Sequence, residues 1–330
     1  MTPNVKRVLP GIDVLKFFLA ILIVAGHCSL FEELPDVFVL QNRLNSIAVP
    51  IFFATSAYLF FRKLQSTPND NISDVLQHTI KRQAVLFLFW YILMLPMTYV
   101  KWFSIATLKE TFFAILLSCT FRGYWFIKAL LINTVIVYLC KGTRSLWICT
   151  LIALVVYLFF SYNYIYSYYP AGLALRPYYS FYYHTLYFCV GALFARYQDC
   201  LHFERWSISL LITLWGLLYV ADYVTGIDPI FRLLSILLIF PLFYRMGGVN
   251  PSIGKSMRAM SIIFYMVQFV LIWLYDERCK AFLDAESDTF AVFQYSVVRF
   301  FAVLFFSIAI AWFIMRGEKK PALSFLRYLH

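Results

Sequence analysis

Residues 11–27 read GIDVLKFFLAILIVAGH, an apolar run interrupted only by Asp13, Lys16 and His27. The run lacks the strict alternation of a half-buried strand, and it is more continuously apolar than an amphipathic helix of a soluble protein, so it predicts a membrane-spanning helix. Stretches of the same kind recur as far as Met315 with short polar gaps between them. With 62% hydrophobic and 14% charged residues, the chain has too little polar surface to cover a soluble globule of 330 residues. The fold class is therefore all-α, a polytopic membrane protein with ten expected spans. They lie near 12–31, 44–61, 84–103, 123–140, 145–164, 178–197, 206–224, 230–246, 259–276 and 291–315. Segment 108–121 is apolar but short, which suits an interfacial or re-entrant helix.

Charge sets the orientation. With the N-terminus inside, 17 of the 28 Lys and Arg residues fall on the cytoplasmic side and eight outside, while Lys16, Lys128 and Arg299 lie within spans. Cytoplasmic loops are the ones enriched in Lys and Arg, so both termini are expected in the cytoplasm. The net charge of +11 is accounted for in this way. Its basic residues are spread through loops rather than gathered on one soluble face, which argues against nucleic acid as a partner. Lys6 and Arg7 precede an apolar run as in a signal peptide, but that run holds Asp13, Lys16 and His27 and no small-x-small cleavage site, so it is expected to be retained. Residues 1–330 are read as a single transmembrane domain, with no internal repeat and no separate soluble domain.

Each ionisable residue inside a span costs several kcal/mol on insertion scales of about 2.5–3.5 kcal/mol, and so marks a functional candidate. At 100° per residue, Lys16 and His27 differ by about 20° after three full turns and share one helix face roughly 16 Å apart, with Asp13 on the same face. A cation near the cytoplasmic end can hold an anionic donor, and an imidazole with a reference pKa of ~6.5 can act as base. The same spacing also fits an interfacial Asp13–Lys16 pair, a snorkelling Lys16 and a hydrogen-bonded His27.

Residues 11–27 resemble the first helix of the acyltransferase 3 family, whose members carry a basic residue, ten intervening residues and then His. The family most often has Arg where this chain has Lys16, which keeps the charge and loses the bidentate fork. Residues 43–63, RLNSIAVPIFFATSAYLFFRK, resemble the family's second helix, with Ser56, Ala57 and Tyr58 in place of a Ser-Gly-Tyr triplet. Pro50 is expected to kink or open that helix. The basic pair Lys81 and Arg82, and Trp125 with Phe126 and Lys128, are similar to further family elements. So is SIIFYMVQ at 261–268, where Gln268 replaces the family's His.

The resemblance implies a membrane O-acyltransferase, an O-acetyltransferase that moves acetyl from acetyl-CoA, or another acyl from its acyl-CoA, to a hydroxyl of a carbohydrate. The acceptor is a cell-surface polysaccharide such as O-antigen or capsule, or a polyprenyl-linked glycan, and the site is the bacterial inner membrane. His27 is the expected base, acting directly or after carrying the acyl group itself. Asp13 positions Lys16, while Ser56 and Tyr58 donate hydrogen bonds to the thioester oxygen or the acceptor. Lys16, Lys81, Arg82 and Trp125 are expected on the donor side. The donor is a substrate, and no permanently bound cofactor is expected.

His184 in the sixth span reads either as an aromatic-flanked structural hydrogen bonder or as a second acid-base group, and Arg299 reads as snorkelling to an interface. The seven Cys show no Cys-x-x-Cys pair, and no metal, ATP or dinucleotide motif appears. Cys119 and Cys279 are the pair that topology allows to meet outside the membrane. The alternative from another class is a glycan or lipid-intermediate transporter or flippase. That reading requires structural repeats and paired broken helices, which the sequence does not display.

Overall fold

A computed structural model describes residues 9–102, 125–162, 167–168, 174–175, 180–246, 250–285 and 289–320. The expected short helix at 108–121 and Cys119 lie outside them. The described residues form twelve α-helices: α1 Pro10–His27, α2 Pro35–Ser46, α3 Ala48–Gln65, α4 Ile72–Trp102, α5 Trp125–Leu139, α6 Thr143–Tyr162, α7 Phe181–Arg196, α8 Gln198–Leu201, α9 Ile208–Thr225, α10 Asp228–Tyr244, α11 Pro251–Ala285 and α12 Thr289–Gly317. A two-residue antiparallel pair, Ser167–Tyr168 with Ala174–Leu175, interrupts them between α6 and α7.

Helix ends follow local chemistry. Proline opens α1 and α2, where its missing N–H costs nothing and its fixed φ suits the first turn. The Ser207 hydroxyl caps α9 by accepting from Leu210 N–H, and Gly226 at φ 69° ends it in the left-handed region. The opening expected at Pro50 takes the form of a break at Ile47, between α2 and α3. Pro50 then falls in the first turn of α3, where the absent donor is tolerated.

Every expected span falls on a helix, but among the described residues six stretches are long and apolar enough to cross a membrane: Pro10–His27, Pro35–Gln65, Thr143–Tyr162, Ile208–Thr225, Pro251–Cys279 and Val292–Gly317. The protein is accordingly an all-helical, multi-pass membrane protein. Helices α5, α7 and α10 have 15, 16 and 17 residues. At 1.5 Å per residue they reach about 22–26 Å, less than the ~30 Å hydrocarbon core. Two stretches expected as loops are helical. Residues 35–43 belong to α2, and Lys81 and Arg82 stand exposed on α4, which begins at Ile72 with Asp74 in its first turn.

The chain divides into two compact units, Met1–Phe52 with His202–His330, and Phe53–Leu201. In the first, α1 packs along α11, which also packs on α12, and α9 packs on α10. Its centre includes Val24, Ala25, Cys28, Phe300 and Val303. Gly11 lets α1 approach the end of α10, since a Cβ there would collide with the Phe243 carbonyl oxygen. In the second unit α7 is the buried centre and packs against α5 and α6. Side chains such as Leu151 and Val155 on α6, Leu217 and Val224 on α9, and Phe305 and Phe313 on α12 are exposed, as helices facing lipid require.

Gly191 on α7 faces Ala54 so closely that a Cβ would overlap its carbonyl oxygen, whereas Gly216 on α9 has nothing within 4 Å of its missing Cβ. In detergent, Gly191→Ala is expected to lower the melting temperature, at an overpacking cost of about 1–3 kcal/mol. Gly216→Ala should match wild type or melt slightly higher, because Ala is favoured in a helix by roughly 0.5–1 kcal/mol. Equal melting of Gly191→Ala and wild type would contradict this packing.

Candidate active site

The eight expected site residues divide between the two units, Asp13, Lys16 and His27 in the first and Ser56, Tyr58, Lys81, Arg82 and Trp125 in the second.

In the first unit all three ride on α1, a helix buried over much of its length. Asp13 is 4% exposed, and its Oδ1 lies 3.3 Å from Nε of Arg258 on α11. Lys16, half-buried one turn along, adds its positive charge on the same carboxylate. Asp13 thus stands near two cations, and its ion pair with Arg258 joins α1 to α11. Close approach of α11 at this level uses Gly254, whose missing Cβ would stand 3.2 Å from Pro10 Cα and 3.5 Å from Asp13 Oδ2.

His27 occupies the last residue of α1 and is exposed, with its ring edge-on to Phe269 of α11 at 4.7 Å between centroids. The helix closes immediately after it. Cys28 N–H bonds the Val24 carbonyl at 2.9 Å and Leu30 N–H the Ala25 carbonyl at 3.2 Å, while Ser29 and Phe31 take positive φ of 48° and 66°. Non-glycine residues in that region are strained, so the turn needs support from outside itself.

That support comes from α12. Arg299, whose side chain is 13% exposed, donates from Nη2 to the Cys28 carbonyl at 2.5 Å and from Nη1 to Asp276 Oδ1 at 3.0 Å. Tyr295 donates to the same carboxylate oxygen at 2.8 Å, and its ring lies 5.4 Å from the guanidinium carbon. Phe31 stacks on Phe293 at 6.1 Å, and Ser296 reaches Glu33 at 3.5 Å. Arg299 is therefore tied into the end of the first helix rather than snorkelling to an interface.

In the second unit Tyr58 is fully buried, and its hydroxyl donates to Gln198 Oε1 at 2.9 Å, while Ser56 is half-buried. Trp125 is 5% exposed and stacks on His184 at 4.8 Å. Phe53 covers the other side of that imidazole at 4.9 Å with an interplanar angle of 5°. His184, 0% exposed, thus sits among aromatic rings. The Asn133 amide donates to the Phe181 carbonyl at 3.1 Å and accepts from Thr185 at 2.7 Å, joining α5 to α7.

The family model for an acyltransferase domain, that of acyltransferase 3, matches residues 9–316. The chain belongs to the acyltransferase 3 family. No curated protein and no solved structure matches it. Membership of the acyltransferase 3 family makes it a membrane acyltransferase, and the transporter reading finds no support in these comparisons. The matched stretch includes both units' expected site residues and the Arg299 cluster alike. The cluster leaves one signal in the sequence, an arginine inside an apolar span. Its partner Asp276 lies 23 residues away on the preceding helix, a pairing no spacing rule announces.

Removing Arg258 should destabilise more than removing Asp13 and Arg258 together, because the single change leaves a buried carboxylate with one cation fewer. The expected excess is on the order of 1 kcal/mol, since the Arg258 side chain is 44% exposed and partly screened. Melting curves of Arg258→Ala, Asp13→Ala and the double variant measure it. A single variant no less stable than the double would refute the assignment.

Proposed function

We propose that this acyltransferase moves an acetyl group from acetyl-CoA to a hydroxyl of a cell-surface polysaccharide or polyprenyl-linked glycan in the bacterial inner membrane. The reading includes ten spans, cytoplasmic termini and a single catalytic domain over the matched stretch. What supports it is the placement of an accessible imidazole, His27, at the end of a largely buried helix that carries a cation, Lys16, eleven residues earlier.

The positive charges of Lys16, Lys81 and Arg82 draw the phosphates of acyl-CoA to the cytoplasmic side. Trp125 is assigned to the donor side with them. Asp13, flanked by Lys16 and Arg258, holds that end of α1 in place. His27 accepts the proton of the acceptor hydroxyl as its oxygen attacks the thioester carbonyl. The C–S bond breaks, and the departing CoA thiolate takes the proton from the imidazolium. Ser56 and Tyr58 are assigned hydrogen bonds to the thioester oxygen or the acceptor, which in Tyr58 requires sharing the hydroxyl now given to Gln198.

Membranes containing wild type or His27→Ala, matched for protein, are given radiolabelled acetyl-CoA, and label entering the glycan fraction is counted. Wild-type label is expected to fall by at least a hundredfold in the variant, since positioned acid-base groups contribute about 10²–10⁴-fold. Undiminished label in His27→Ala would remove His27 as base, and no wild-type label from any acyl-CoA would end the acetyl-to-glycan reading.

A further inference from the structure

His27 is the last residue of its helix, so its side chain is only as well placed as the turn that follows. The carbonyl of Cys28 belongs to the group at a helix C-terminus that has no intrahelical donor. Left alone, that turn combines unmet carbonyls with two strained non-glycine residues, Ser29 and Phe31, and would exchange among conformations that carry His27 with them. Arg299 is the side chain that meets this carbonyl, and it arrives pre-oriented. Asp276 on α11 holds one guanidinium nitrogen, and the Tyr295 ring lies against the guanidinium while its hydroxyl holds Asp276. The cation also sits at the negative end of the α1 dipole, where positive charge is stabilising. On the other side Phe269 of α11 meets the imidazole edge. The same two helices thus fix the backbone after His27 and the ring of His27.

We infer that Arg299 is a positioning residue for acyl transfer, holding the C-terminal turn of α1 through the Cys28 carbonyl so that His27 meets the acceptor hydroxyl in a fixed orientation. This rests on His27 serving as the base proposed above. Arg299 acts through His27 and touches neither substrate, so its loss lowers turnover without weakening binding. The buried pair of Arg43 with Asp222, which ties α2 to α9 in the same unit, supplies a control of similar chemistry.

The test measures kcat and both half-saturating concentrations per folded molecule, using purified enzyme, acetyl-CoA and the glycan fraction of the cells that carry the protein. Folded protein is counted by size-exclusion chromatography in detergent. Arg299→Ala should lower kcat at least tenfold with both half-saturating concentrations within twofold of wild type. Arg299→Lys, which keeps the charge and one donor to Cys28, should recover most of the loss. Arg43→Ala should lower the melting temperature while leaving kcat per folded molecule close to wild type. Three results overturn the inference: unchanged kcat per folded molecule in Arg299→Ala, a loss confined to the half-saturating concentrations, or an equal loss in Arg299→Lys and Arg299→Ala. A wild-type enzyme that transfers no acetyl would instead bring down the underlying reading.

Discussion

A carboxylate buried on a membrane helix must find a cation, and Asp13 finds two, Lys16 on its own helix and Arg258 on α11. Their charges offset part of the cost of burying that carboxylate, which is larger for an unpaired ion inside the protein than for a surface charge. The same rule sets the other contacts of this unit. The buried Asp222 is met by Arg43 between α9 and α2, and the largely buried guanidinium of Arg299 by the more exposed Asp276 between α12 and α11. Helices that share lipid on all sides gain little from apolar contact alone, since lipid is as apolar as a Leu side chain. Ion pairs therefore set which helix lies beside which, and shape complementarity at Gly11 and Gly254 sets how closely.

The second unit meets the same constraint with neutral groups. Asn133 and Thr185 satisfy each other and the Phe181 carbonyl, and Gln83 reaches Thr134 from α4 to α5. Hydrogen bonds of this kind contribute about 1 kcal/mol each. Stacking fills the rest, with His184 between Phe53 and Trp125. A histidine enclosed in that way packs as a flat ring among aromatic neighbours. The two candidate imidazoles are thereby separated by environment, His27 accessible at a helix end and His184 fully enclosed.

The first helix is legible in the sequence because its information is local: an apolar run and three charged or titratable residues on one face. The family's motif is legible for the same reason. Arg43 and Arg299 are not, since whether an arginine snorkels or pairs depends on what a distant helix presents to it. Asp222 and Asp276 lie 179 and 23 residues from those partners. Residues 35–43 read as a loop because Asp36, Asn42 and Arg43 make them polar, yet Arg43 and Gln41 are turned inward and the segment is helical. Lys81 and Arg82 read as loop residues because hydropathy marks where the apolar part of a helix begins, while the helix itself starts ten residues before Arg82 at Ile72.

Three of the long helices are the ones with wide lipid-facing surfaces. Lipid thickness constrains a helix only through the surface it presents to lipid. Helices α6, α9 and α12 expose wide apolar faces, and they have 20, 18 and 29 residues, enough to be recognised as spans. Helix α7 has 16 residues, of which twelve are buried, so most of its length meets protein rather than hydrocarbon. Its length is then set by the helices it packs against. Under the proposed ten-span topology the short members α5, α7 and α10 carry buried polar side chains, Asn133 and Thr134, His184 and Thr185, and Ser235 respectively. A scale built on lipid-facing helices discounts such segments because they are short and internally polar, the two properties expected of helices whose neighbours are other helices.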